Sequence, residues 1–401
     1  MAGYIFTIGG KSEKEKREAI VSAVKTGLFS SFVTMRNRNG TLLPLKDRNE
    51  LLSNVLADYL TMKEGDNIYF FANKKIYGVG VLFNPEGVGS CYISNYPSAC
   101  NFNETEIPIE ETALYSQQPE YRWVCFFKPE GSKDCFFENG VAMDDVLQYK
   151  PQSFRMLRSM QGVSFIKIDD EENLALKEFI YLKNSTSLSS NIKYDSLEQS
   201  RRISAIERFN AYQVGLSSIN KNHIDSSGDM DLEILVEANV IEKLKHEGWD
   251  YVSHQVIASP FKPVKWMKRM DVFAYKYLSS YPDSPKPIEK YLVIEIKKGQ
   301  GNAETILQVM HYVDWICKEY ANGDYGRISA QLICKNYTGY LKADKIKEKR
   351  PELAEAIKRQ YIIQTEPLQS EMWNDLKLIT YSGDQSTGDI TYGLYADYSQ
   401  L

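Results

Sequence analysis

Apolar residues recur at helical spacing over about Glu13–Thr26 and Asn49–Thr61, and again over Asp169–Tyr181, which predicts three helices in the first half of the chain. Between the second and third, the pattern shortens to aromatic and β-branched runs. Asn67-Ile68-Tyr69-Phe70-Phe71 and Ile76-Tyr77-Gly78-Val79-Gly80-Val81 read as strands, with Gly65-Asp66 as the turn before them and Asn73-Lys74-Lys75 as a tight hairpin loop. A third strand is expected at Tyr121–Phe127, ended by Pro129-Glu130-Gly131. Residues 1–183 therefore read as a small α+β domain, mostly β, with peripheral helices. The polar stretch Asn184–Ser190 has no apolar periodicity, so a linker is placed over 184–200. Helical spacing returns over Asp195–Val214 through Ile203, Ile206, Phe209 and Tyr212. The second domain, 201–401, runs helix (from Asp229 toward Leu244), strand (Met270–Tyr275), strand (Lys290–Lys298), helix (Glu304–Trp315), and then a terminal strand or tail over 373–401. That order predicts an α/β domain with a mixed sheet flanked by helices.

Charge and composition narrow the chemistry. The 48 Lys and Arg against 53 Asp and Glu leave a formal charge of −5, which excludes a uniformly basic coat but not a local basic groove for phosphate. The six cysteines form no CxxC pair and there are four histidines, so a structural zinc site is not expected. The first residues lack the apolar core of a secretory signal, and no stretch approaches a membrane span. A reducing, cytoplasmic location without membrane contact is the expectation. Gly9-Gly10 and Gly78-x-Gly80 are read as lacking both the strand-loop-helix setting and the spacing of a phosphate-binding loop, which sets nucleotide hydrolysis aside.

The charged residues of the second domain fall in a suggestive order. In Lys290–Lys298 the apolar centre predicts a buried strand, and Glu295 and Lys297, two apart, leave the same face. Burying either charge alone is costly, so the pair is expected to line a cleft or meet a counterion. Asp271 opens the preceding strand. An antiparallel neighbour would set it beside Glu295, giving two hard oxygen ligands for Mg²⁺ with Lys297 in reach. On the upstream helix Glu233 and Glu237 are four apart and share a face. Glu233 is the candidate to complete the site, with Asp229 and Glu237 left open as alternatives. On the downstream helix Gln308 and Tyr312 lie one turn apart, suited to touching the site, whereas His311 points elsewhere. Just before Asp271, Phe261–Arg269 carries Lys262, Lys265, Lys268 and Arg269 around Trp266 with no acid, a pattern suited to a phosphate backbone and a stacked base.

Helix acid, Asp271, Glu295-Ile296-Lys297, then Gln308-x-x-x-Tyr312, in this order over about 229–335, resembles the PD-(D/E)XK nuclease superfamily, and the Gln-x-x-x-Tyr helix is similar to its RecB-type and NucS-like branches. Met270 stands where the family often has Pro. The resemblance implies that Asp271, Glu295 and the backbone carbonyl of Ile296 hold Mg²⁺ or Mn²⁺. It also implies that Lys297 orients the attacking water or stabilises the developing oxyanion.

In the first domain, Glu64–Phe71 followed by Tyr77–Val81 resembles the PUA-like barrels, including their EVE branch, and 151–157 with 164–169 fit the closing part of such a domain. This likeness implies an aromatic pocket for a flipped base, modified bases included, with Tyr69, Tyr77 and Trp123 as candidate walls. The two resemblances together imply a metal-dependent nuclease acting on DNA, an endonuclease serving restriction or phage defence, and a homodimer if both strands are cut. Two alternatives stay open: an effector nuclease gated by a small nucleotide ligand, and a non-catalytic nucleic-acid-binding protein that keeps the fold.

Overall fold

The computed structural model describes residues 1–30, 56–86, 88–94, 123–130, 136–137, 139–154, 165–184, 192–208, 216, 232–257, 269–282, 286–363, 367–384 and 386–400. The chain divides into two compact units, with the division falling between residues 222 and 231.

The first unit is built from β1 (Gly3–Thr7), α1 (Glu13–Thr26), β2 (Leu28–Ser30), β3 (Asn67–Ala72), β4 (Lys75–Ile76), β5 (Gly80–Leu82), β6 (Tyr92–Ser94), β7 (Trp123–Pro129), β8 (Val141–Ala142), α2 (Met143–Tyr149), β9 (Phe165–Ile168), α3 (Asp170–Lys183) and α4 (Ser196–Arg208). Its sheet runs β2-β7-β5-β3-β1-β9, with β4, β6 and β8 attached to the side of this path. β1 is an interior strand, parallel to β3 and antiparallel to β9, which explains why Tyr4, Ile5 and Phe6 are all buried. Asn73 and Lys74 both have positive φ (51° and 61°), the conformation that a two-residue turn between β3 and β4 requires. The run from Ile76 to Val81 reads as one strand but forms two. Gly78, at φ 90°, turns the chain after β4, and β5 begins at Gly80, where a Cβ would lie 3.0 Å from both Ile68 and Phe136.

Three further expectations change here. Among the described residues the sheet is an open path from β2 to β9 and does not close into a barrel. Gly9 and Gly10 do lie between a strand and a helix, in the loop from β1 to α1, so only their spacing differs from a phosphate-binding loop. The domain boundary also moves. The Gln199 side chain on α4 donates to the carbonyls of Gly27 and Phe127, both at 2.9 Å, so residues expected in the linker and second domain are pinned into the first unit.

The second unit contains α5 (Leu232–His246), β10 (Tyr251–Ile257), β11 (Arg269–Tyr277), β12 (Ile288–Gly301), α6 (Ala303–Glu319), β13 (Ile328–Tyr337), α7 (Ala343–Lys349), α8 (Pro351–Ile357), β14 (Arg359–Ile363), β15 (Gln369–Trp373), β16 (Leu376–Asp384) and β17 (Asp389–Asp397). The main sheet is mixed, in the order β10-β11-β12-β13-β16-β17, and β14 and β15 form a separate ribbon. The molecule is thus mixed α/β. β12, β13 and β16 are parallel and the outer pairs antiparallel, with α6 as the crossover from β12 to β13. A capping box between Asn302 and Thr305 starts α6, and Ile306, Val309, Met310, Val313 and Ile316 form its buried stripe. β12 is the central strand, so Tyr291 to Ile296 are all buried, each aliphatic side chain contributing about 1.5–3 kcal/mol. The C-terminal segment supplies β16 and β17. Among the described residues no helix is long and apolar enough to cross a membrane.

Candidate functional site

The site forms where two strands part. The β11–β12 ladder runs from Tyr277 opposite Ile288 to Val272 opposite Ile294 and then stops. The next residue of β11 is Asp271, and its Oδ2 accepts the Ile296 N–H at 2.7 Å. A side chain thus takes a backbone donor left over where the strands separate, which fixes the carboxylate in the notch. On its other edge β12 keeps pairing with β13 as far as Lys297 opposite Cys334, then shifts register before Gln300. Glu295 and Lys297 therefore sit at the last regular positions of the central strand.

The expected residues come together around one atom. The Lys297 ammonium lies 2.5 Å from Glu295 Oε1, donates to the Ile296 carbonyl at 3.0 Å, and is 4.0 Å from Asp271 Oδ2. From α6, the Gln308 amide donates to Glu295 Oε1 and, at 2.7 Å, to the Tyr312 hydroxyl. That hydroxyl donates in turn to the Arg269 carbonyl at 2.9 Å, tying α6 to the start of β11. Gln308 and Tyr312 thus anchor the buried Glu295.

Electrostatics follows from burial. Desolvation first, then the Glu295 and Glu237 carboxylates, push Asp271 up to about 8, against the opposing pull of Lys297 and the Ile296 N–H. Burial pulls Lys297 down, but Glu295 and Asp271 outweigh it and hold the ammonium protonated beyond its ordinary range. Burial raises Tyr312 strongly, with Glu295 adding to the effect, so it acts as a neutral donor. The Lys297 ammonium is the cation on which both carboxylates draw.

The donor set fits a hard divalent cation. Two carboxylates and a backbone carbonyl are oxygen ligands of the kind Mg²⁺ takes while keeping several waters, and the ammonium among those three oxygens stands in for a cation. Among the described residues no group of three or more His, Cys, Asp and Glu side chains forms a metal-holding cluster. Asp271, Glu295 and the Ile296 carbonyl are the groups that would hold the ion.

The two described helix acids are placed separately. Glu233 accepts the Lys298 N–H at 2.9 Å, clamping β12 just beyond Lys297. Glu237 is buried and meets His254 Nδ1 at 3.0 Å. Asp229 lies outside the described residues, as do Lys262, Lys265, Trp266 and Lys268; of the basic run only Arg269 is described, half-buried at the start of β11.

In the first unit, Tyr69 is fully buried within the hydrophobic cluster of Ile5, Ile76 and Ile168, and its hydroxyl donates to Asn173 Oδ1 at 2.7 Å. Its ring is core, which corrects its assignment to a pocket wall. Tyr77 is half-buried, with its ring against Gly140. Trp123 opens β7, and its side chain lies outside the described residues.

Two residues of the site come from β10, a strand the sequence reading passed over. Gln255 donates to Asp271 Oδ1 at 3.1 Å, and His254 holds Glu237. The aromatic and β-branched pairs Tyr251-Val252 and Val256-Ile257 are the available signal for the strand. Nothing local marked Gln255.

No family model and no curated protein matches the chain. Among solved structures, protein Atu2648 from Agrobacterium tumefaciens is 15% identical over 45% of this chain and 93% of its own, with a TM-score of 0.23. A likeness of that size carries no argument about fold or function.

Proposed function

We propose that the second unit is a PD-(D/E)XK-like, metal-dependent nuclease that cleaves phosphodiester bonds of DNA, and that the first unit selects the substrate. The observation that carries this reading is the convergence of Asp271 Oδ2, Glu295 Oε1 and the Ile296 carbonyl on one cationic position, the Lys297 ammonium, where β11 and β12 separate. A divalent cation held by those three groups would lower the pKa of a bound water and offset charge on the scissile phosphate.

The chain's own residues have distinct tasks. Asp271 and Glu295 bind through their carboxylates, each oriented by a fixed donor: the Ile296 N–H for Asp271 and the Gln308 amide for Glu295. Lys297 is more exposed than either carboxylate. It is 29% exposed where Glu295 is 1% exposed, so its ammonium can swing outward to orient the attacking water or meet the developing oxyanion. Tyr312 and Gln308 keep Glu295 in place while that charge moves. For the first unit, the PUA-like resemblance over 64–81 supports base recognition, with Tyr77 and Trp123 as the remaining aromatic walls. Restriction or phage defence as the setting, and a homodimer when both strands are cut, follow by analogy with such domain pairings.

Supercoiled plasmid incubated with the full-length protein tests the reading. Nicking that needs Mg²⁺ or Mn²⁺, stops in EDTA and is lost in Glu295→Gln is the expected result. Equal inactivity, or equal activity, of wild type and Glu295→Gln on plain and modified DNA would overturn it.

A further inference from the structure

Gln255 is an outlier in its own strand. It has φ of +51°, a left-handed conformation that costs a residue other than glycine roughly 1–2 kcal/mol. The β10–β11 ladder pairs Ser253 with Phe273 and His254 with Val272, skips one position, and resumes with Val256 opposite Met270. The skipped position is Gln255 facing Asp271. The register is unbroken, so the backbone at Gln255 has turned away without inserting a residue. What the turn provides is an amide aimed across the strands, with Nε2 3.1 Å from Asp271 Oδ1. The other oxygen of the same carboxylate is held by the Ile296 N–H at 2.7 Å. Asp271 is thus gripped at both oxygens by donors from the two strands that flank β11. The next residue along, His254, holds Glu237, the carboxylate whose charge acts on Asp271.

From this geometry we infer that Gln255 is a positioning residue. Its strained backbone is retained because it directs the amide onto Asp271 Oδ1, fixing the carboxylate plane so that Oδ2 presents to the cation beside Glu295 and the Ile296 carbonyl. The inference rests on the metal-dependent reading above and adds to it a residue that touches neither cation nor substrate. Backbone strain at a site, countered by one directional hydrogen bond, marks a conformation kept for what it positions. The amide-to-carboxylate contact is the outer-layer interaction whose removal lowers metal affinity roughly 10–100-fold.

The test uses the full-length protein and Mn²⁺ as the probe, with free Mn²⁺ followed by electron paramagnetic resonance and melting measured separately in EDTA. Gln255→Gly removes the amide and relieves the strain, so binding and stability should part company. Mn²⁺ affinity is expected to fall roughly tenfold or more, while the melting temperature in EDTA stays level or rises. Gln255→Asn keeps an amide on a residue that tolerates positive φ and should recover part of the affinity. Plasmid cleavage at saturating Mn²⁺ should stay below wild type in Gln255→Gly, since the carboxylate plane is no longer fixed. Wild-type Mn²⁺ affinity in Gln255→Gly would overturn the inference and leave the nuclease reading standing. A fall in affinity accompanied by a lower melting temperature would show a structural residue and overturn it too. Failure of the wild-type protein to bind Mn²⁺ would remove both.

Discussion

Replacing Asp271 with Asn should stabilise the cation-free protein and abolish its cleavage, because the site keeps a carboxylate where the fold disfavours one. Burial, Glu295 and Glu237 raise the Asp271 carboxyl to about 8, whereas in the unfolded chain it ionises near pH 4. Between those values the folded state holds a proton that the unfolded state has released, so stability falls as pH rises through that window. Below it both states are protonated and the penalty is absent; above it the penalty is complete. Each pH unit is worth about 1.4 kcal/mol, so at pH 7 the ceiling is on the order of 4 kcal/mol. Relaxation around the notch lowers the expected gain to about 1–3 kcal/mol. Asn cannot ionise, its carbonyl can still accept from Ile296, and the Gln255 amide can rotate so that its oxygen accepts from the new NH2. For a unit of this size the gain corresponds to a rise of roughly 2–4 °C per kcal/mol. Calorimetry in EDTA from pH 4 to pH 8 reads it directly: the advantage of Asp271→Asn should be absent at pH 4 and grow toward pH 8. Added Mg²⁺ should then stabilise the wild type and leave the variant unchanged. An Asp271→Asn protein that is equally or less stable than wild type at every pH would refute the argument, since the carboxylate would then carry no penalty.

Two other substitutions probe separate parts of the molecule. Lys297→Met removes the ammonium that occupies the three oxygens, so cleavage should drop about 10²–10³-fold while Mn²⁺ binding holds or tightens; weaker Mn²⁺ binding would mean the ammonium helps assemble the site. In the first unit, Gln199→Ala leaves the buried Gly27 and Phe127 carbonyls without that donor, at a cost of about 2–3 kcal/mol. Its calorimetric trace should lower one transition and leave the other in place, and an unchanged trace would show that α4 contributes nothing to the first unit.

How far the sequence revealed this site depends on the range over which each residue's environment is set. β12 was legible because a central strand is covered on both faces, and an apolar run broken by one glutamate and then one lysine is what such a strand looks like at a charged end. The helix acids were half legible. Their i,i+4 spacing places Glu233 and Glu237 on one face, but their partners lie on two different strands, Lys298 on β12 and His254 on β10. No spacing within the helix could separate their roles. Tyr69 shows the same limit in the first unit: an aromatic in a strand is a pocket wall or core depending on what meets it, and here the partner is Asn173, 104 residues away. Gln255 is the extreme case. A glutamine in a strand is unremarkable, its φ is invisible in the sequence, and its role exists only because the β10–β11 register sets it opposite Asp271. Asp271 in turn owes its hydrogen bond with Ile296 to the ladder ending at Val272, one residue short of it. Had the two strands stayed paired through position 271, the Ile296 N–H would have met a backbone carbonyl, and the carboxylate would have lost the donor that turns it toward Glu295. The acids are written in the sequence, but what joins them is the point at which two strands stop pairing.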